Sequence, residues 1–179
     1  MFRVIIYVFL ILGFAAGFNN LHAEVLSREF EVLTGFGSAH LPIEVEKHKI
    51  IPLIGRALWE VKQGGYVGGD IFYASVLEPE SEMEAGCGLF WQRRYREYEK
   101  VSPYWEAECG LIYTSLETRE QATQGNFILQ LGIGTYVSLK DDLKLNVGYR
   151  LRHYSNAGIE FPNIGINHHV FEVGLNWAF

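Results

Sequence analysis

His153 and Ser155 are separated by one residue. In an extended chain such residues project from the same face with Cβ atoms about 7 Å apart, and an imidazole leaning across that gap reaches a serine hydroxyl. The pairing suggests one chemistry. Serine is a weak nucleophile until a base takes its proton, and a third group should orient that base. Asn167 can fill the third role by accepting from the other imidazole nitrogen, provided that its segment lies alongside. H-x-S alone is a weak signal, because chance pairs of this kind are common near strand ends. The serine elbow G-x-S-x-G is absent. Adjacent His168 and His169 would point to opposite faces of a strand, so they make a poor metal pair, and no metal or cofactor is expected. Gly64 to Gly69 is glycine-rich, but no helix follows to make it a phosphate cradle.

For these side chains to meet, the flanking sequence must be strand. Eight segments rich in aromatic, β-branched and glycine residues lie at 28–40, 50–61, 70–77, 83–97, 103–114, 126–139, 143–155 and 166–179. Turn-like or polar stretches separate them at 41–49, 62–69, 78–82, 98–102, 115–125, 140–142 and 156–165. In the seventh segment Leu143, Leu145, Val147, Tyr149 and Leu151 alternate with Lys144, Asn146, Gly148, Arg150 and Arg152. Two further steps put His153 and Ser155 on the apolar face. In the last segment Phe171, Val173, Leu175, Trp177 and Phe179 alternate with Glu172, Gly174, Asn176 and Ala178, which puts Asn167 and His169 on the apolar face as well.

A soluble sandwich or lipocalin-like barrel also alternates, but its polar face is wet and seldom so rich in glycine. Here that face mixes charges of both signs with glycine, as a narrow packed lumen requires, while the apolar face ends in Trp, Tyr and Phe and suits lipid. The expectation is an all-β fold, an eight-stranded antiparallel up-and-down transmembrane β-barrel. With both termini on the inner side, His153, Ser155 and Asn167 face lipid at the outer rim. Polar groups there are costly and need a reason. The first and third segments alternate poorly, and 62–69 would be a long inner turn.

Bulk properties agree with export. Met1-Phe2-Arg3 precedes an apolar stretch over 4–18, then Asn19-Asn20 and Leu21-His22-Ala23, the pattern of a signal peptide at 1–23 with the barrel at 24–179. The stretch is short against the ~20 residues of a membrane helix, which disfavours an uncleaved anchor. Removing Arg3 takes the net charge from −6 to −7, so no nucleic-acid partner is expected. Cys87 and Cys109 share the apolar face of consecutive segments. A turn centred near Tyr98 would set them opposite each other, and the parity leaves a disulfide or two lipid-facing thiols open.

The wider run His153-Tyr154-Ser155-Asn156-Ala157-Gly158, followed by Pro162-Asn163-Ile164-Gly165, resembles the outer-membrane lipid A 3-O-deacylase (PagL) family, whose site carries H-x-S-N-A-G and P-N-x-G. The similarity of motif covers about 148–167, and the eight-strand plan agrees over 24–179. The resemblance implies a bacterial outer-membrane esterase. It would remove the ester-linked 3-position acyl chain from the lipid A of lipopolysaccharide in the outer leaflet. Ser155 would be nucleophile, His153 base and later acid, and the Asn163 side chain and Gly158 N–H the oxyanion donors.

One departure matters. The family's acidic third member falls at Asn167, which can fix the imidazole tautomer but cannot stabilise the imidazolium by charge. Glu160, in the loop, is the alternative third member, whereas Glu172 has the parity of the lumen. The rival readings are a non-enzymatic structural or adhesion barrel and a phospholipase or acyltransferase on a similar barrel. The sequence leaves the oligomeric state open, a homodimer among the options.

Overall fold

A computed structural model describes residues 25–44, 46–96 and 99–179. The expected signal peptide lies outside the described residues. The strands are β1 (Ser27–Leu41), β2 (Glu46–Lys62), β3 (Gly65–Glu78), β4 (Glu82–Arg94), β5 (Val101–Thr114), β6 (Gly125–Ser138), β7 (Leu143–Ser155) and β8 (Ile166–Ala178). Each pairs antiparallel with the next, and β8 returns to β1, with Phe30 opposite Trp177. Closure leaves no edge strand, so the ladder groups pair within the sheet, the condition for crossing lipid with strands.

Outward residues are apolar around the whole circumference. Ile71, Leu131 and Phe171 are 70%, 63% and 62% exposed, far too much apolar surface for water to be the solvent on all sides. The four tryptophans, Trp59, Trp91, Trp105 and Trp177, all lie towards the end of the barrel where β1 starts and β8 finishes. They form an interfacial girdle, with Trp91 and Trp105 edge to face at 4.6 Å. At that end β2 and β3 are joined by Gln63 and Gly64 alone. The loops 115–124 and 156–165 are at the opposite end, which is the outer one by the usual asymmetry of such barrels.

The lumen has two layers. Towards the inner end, buried arginines are neutralised by buried carboxylates. Arg56 reaches Glu106 at 3.0 Å and Glu31 at 3.3 Å, Arg150 reaches Glu106 at 2.8 Å and Glu172 at 2.9 Å, and Arg94 reaches Glu29 at 2.7 Å. Such ions are retained in a dry interior only when paired. Towards the outer end Leu33, Leu41, Ile54, Phe72, Ile112 and Ile128 pack into the lumen beside a buried polar group of His48, Glu84, Arg152 and His168. This second layer explains the weak alternation of the first and third segments. Phe72, Ala74 and Val76 face inward while Ile71, Tyr73 and Leu77 face lipid, so both faces of β3 are apolar.

Two sequence expectations are corrected. The run 65–69 is strand, not turn. A Cβ at Gly68 would lie 2.3 Å from the Phe90 ring, so the glycine there makes room for a lumenal aromatic. The β4–β5 hairpin is centred at Glu99 rather than Tyr98, since Glu84 pairs with Thr114. That shift displaces the cysteines: Cys87 stands opposite Leu111 and Cys109 opposite Leu89, and both are free thiols.

Candidate active site

β7 runs to Ser155 and β8 begins at Ile166, so the loop 156–165 springs directly from the residues of interest. In the antiparallel register His153 stands opposite Asn167. The Asn167 Oδ1 lies 2.8 Å from His153 Nδ1, and His153 Nε2 lies 3.3 Å from Ser155 Oγ. An amide oxygen can only accept, so Nδ1 carries the hydrogen and Nε2 presents its lone pair to the serine hydroxyl. The three side chains expected to meet do so, on the outer wall near the outer rim. Glu160 is not the imidazole's partner, since Asn167 and Ser155 take both ring nitrogens; the Glu160 backbone carbonyl accepts from Asn156 Nδ2 at 2.8 Å. Glu172 is lumenal, on Arg150.

The imidazole fits because the residue beside it has no side chain. Gly165 has φ of +78°, and a Cβ there would lie 2.6 Å from His153 Cε1 and 3.2 Å from Nε2. The loop itself is organised by Asn156, which is buried behind the serine. Asn156 Oδ1 accepts the Gly158 N–H at 2.9 Å, and the Asn156 N–H donates to Asn163 Oδ1 at 3.0 Å. Asn163 therefore presents its Nδ2 end away from Asn156, while the Gly158 N–H is engaged within the loop.

A second loop braces this one, through residues that the sequence reading passed over. Gln121 forms a bridge with Asn163. The Ile164 N–H donates to the Glu120 carbonyl at 2.9 Å, and the Ala122 N–H to the Pro162 carbonyl at 2.9 Å. The Glu120 carboxylate, fully buried, accepts from the Ile43 and Glu44 N–H groups at 2.7 and 3.0 Å. Three outer loops are thus tied at one residue, Glu120. No local motif signals this, since the partners lie more than 70 positions apart in sequence.

Below His153 the outer wall carries an apolar groove of about 450 Å³, bounded by Ala107, Cys109, Leu129, Leu131 and Leu151. Small residues on β5 leave the hollow between larger neighbours on β6 and β7. The loop above it exposes Ile159, Phe161 and Ile164, side chains suited to an acyl–headgroup boundary rather than to water.

The family model for lipid A 3-O-deacylase (PagL) matches residues 55–176. This chain belongs to the PagL family. The match spans the strands and the loop that hold His153, Ser155, Asn163 and Asn167, and the barrel is a bacterial outer-membrane protein of that lipid A deacylase family. Among solved structures, the outer-membrane enzyme PagL has a TM-score of 0.61 at 19% identity, covering 82% of this chain and 97% of its own. Neisserial surface protein A has a TM-score of 0.70 at 13% identity, covering 85% and 97%. The N-terminal barrel domain of Pseudomonas aeruginosa OprF has 0.55 at 11%, covering 86% and 97%. At these identities the structural likenesses speak for the fold alone. No protein with a curated description matches the sequence.

Proposed function

We propose that this PagL-family barrel hydrolyses the 3-position acyl ester of lipid A with Ser155 as nucleophile and His153 as general base. One observation carries the reading: His153 Nε2 stands 3.3 Å from Ser155 Oγ while its Nδ1 is held by Asn167, on a lipid-facing wall. Ser155 Oγ attacks the acyl carbonyl carbon as Nε2 takes the hydroxyl proton. The imidazolium then gives that proton to the departing sugar oxygen, leaving an acyl-serine. Water attacks this ester, His153 takes the water's proton and returns it to Ser155 Oγ, and the fatty acid leaves.

The oxyanion is assigned to the Asn163 Nδ2 group, joined by the Gly158 N–H once that N–H exchanges its bond to Asn156 Oδ1. Donors aimed at a developing oxyanion are commonly worth about 3–4 kcal/mol each. The groove takes the acyl chain. Its apolar lining offsets the chain's withdrawal from neighbouring lipid, so the substrate reacts without leaving the outer leaflet.

The test is the mass spectrum of lipid A after incubation with the refolded protein. Loss of one hydroxyacyl group from lipid A, abolished in Ser155→Ala barrels that still fold, is the expected result. Release from phospholipids in preference to lipid A would point instead to a phospholipase. Undiminished release by Ser155→Ala would remove the serine from the mechanism.

A further inference from the structure

Behind the candidate active site, on the lumenal side of the same wall, three buried residues converge from strands that are not neighbours. His48 is on β2, Glu84 on β4 and His168 on β8, and all three are fully buried. The rings of His48 and His168 are 4.7 Å apart, with His168 Nε2 3.1 Å from His48 Nδ1. Glu84 Oε1 lies 3.7 Å from His48 Nε2. Each residue can present one ligand atom such that all three lie within 4.8 Å of one another.

We propose that His48, Glu84 and His168 form a binding site for one divalent transition metal, zinc foremost, inside the barrel at its outer end. The two imidazoles share a single hydrogen bond, and His48 Nε2 and His168 Nδ1 are buried with no hydrogen-bond partner. Whichever way the shared bond runs, one of these outer nitrogens is a bare lone pair in a dry lumen. A lone pair of that kind is costly to bury, so the pair as it stands is under-satisfied. The spacing also fits. Two nitrogens on one tetrahedral zinc, at about 2.0–2.1 Å each, are roughly 3.3 Å apart, close to the 3.1 Å between His168 Nε2 and His48 Nδ1, so the ion would replace the hydrogen they share.

The surroundings select the kind of ion. Glu84 is the one carboxylate of the three, and its charge is shared: Arg152 Nη2 donates to Oε2 at 2.9 Å and the Tyr154 hydroxyl to Oε1 at 3.1 Å. These bonds orient the carboxylate as outer partners of a metal ligand do. They also leave too little negative charge for calcium or magnesium, which take oxygen-rich sites, whereas imidazole suits zinc, copper and nickel. The Arg152 charge opposes any cation and keeps the affinity below that of closed thiolate sites. The adjacent pair His168 and His169 misses this arrangement: His169 points to lipid, and the true partner of His168 lies 120 positions away. A bound ion would fasten β2, β4 and β8 across the lumen, independently of any reaction on the outer wall.

The test uses the full barrel, without a histidine tag, stripped with chelator in denaturant and refolded in detergent. Calorimetric titration with zinc chloride should give one ion per chain and a higher unfolding temperature, with no effect from calcium or magnesium. His48→Gln and His168→Gln should each weaken zinc binding by about tenfold or more. Cobalt loading should give the visible absorption of a tetrahedral nitrogen–oxygen site. No zinc uptake by the wild-type barrel, or uptake unchanged in both variants, overturns the proposal. If the variants do not fold, X-ray absorption of the zinc-loaded wild type decides: two imidazole ligands support the site, and fewer than two refute it.

Discussion

Asn167 stands directly across the β7–β8 ladder from His153 and holds Nδ1 of its ring at 2.8 Å through an amide oxygen. The contact fixes the ring and its tautomer but brings no charge. Orientation and charge stabilisation, which a carboxylate supplies together, are therefore separable at this position. Asn167→Ala should lower deacylation by about a hundredfold, the lower part of the range for general acid–base assistance, with little change in KM. Asn167→Asp should keep or raise the rate. A carboxylate beside the imidazole favours its protonated form, so the acidic limb of the pH–rate profile should move to higher pH in Asn167→Asp. Full pH–rate curves for the three proteins on purified lipid A check both parts. An unchanged rate in Asn167→Ala would remove Asn167 from the mechanism.

Gly165 is predicted to tolerate no side chain if His153 is to act. An alanine there is strained by the positive φ of 78°, and its Cβ would press on Cε1 of the ring at 2.6 Å. The backbone strain costs about 1–2 kcal/mol, small against the stability of a closed barrel. Gly165→Ala should therefore still fold, as read by heat-modifiable mobility on a denaturing gel, while its kcat falls steeply. A folded variant with wild-type kcat would show that the ring need not occupy its present position.

Much of this arrangement is legible in sequence because a strand repeats every two residues. β7 lies where alternation puts it, at Leu143–Ser155, and β8 differs by one residue at its end. Parity alone carries His153, Ser155 and Asn167 to one face. What escaped is what parity cannot carry. Glycine in 65–69 reads as turn until the lumenal Phe90 that needs the space is known. The cysteine register depended on a hairpin axis that moved by one residue, and in an antiparallel pair that moves the partner by two. The apolar outer lumen hid the alternation of β3, because burial inside a barrel and exposure to lipid favour the same side chains. Glu120 and the His48–His168 pair belong to contacts between distant segments, which no local pattern announces.

Glu120 is predicted to act at a distance on the loop that carries Asn163. Its carboxylate takes two backbone N–H groups of 41–44, and its own carbonyl takes the N–H of Ile164. Glu120→Ala removes the acceptor of those two donors and should loosen both outer loops. Limited proteolysis should cut within 115–124 or 156–165 faster than in the wild type. The rate should fall through kcat, since Asn163 loses its support, and Glu120→Gln, which keeps an acceptor oxygen, should recover part of it. Equal losses in both variants with no change in proteolysis would deny the bracing role.

The groove below His153 should set the length of acyl chain released. Cys109 lies in the same cross-strand row as Leu129, His153 and Asn167, whereas Ala107 lies one row further from the rim, beside Leu131. Ala107 is thus two strands and one row from the imidazole, about 12 Å along the wall by strand geometry, where the far methylenes of a chain would rest. Ala107→Trp fills that end and leaves the row of His153 untouched. Each buried methylene is worth about 0.8 kcal/mol, close to a fourfold factor, so long 3-position chains should lose several such factors while short ones lose few. Competition between lipid A species of different 3-acyl length, read by mass spectrometry, measures the change as a ratio within one reaction. A ratio unmoved by Ala107→Trp would mean that the chain lies elsewhere on the wall.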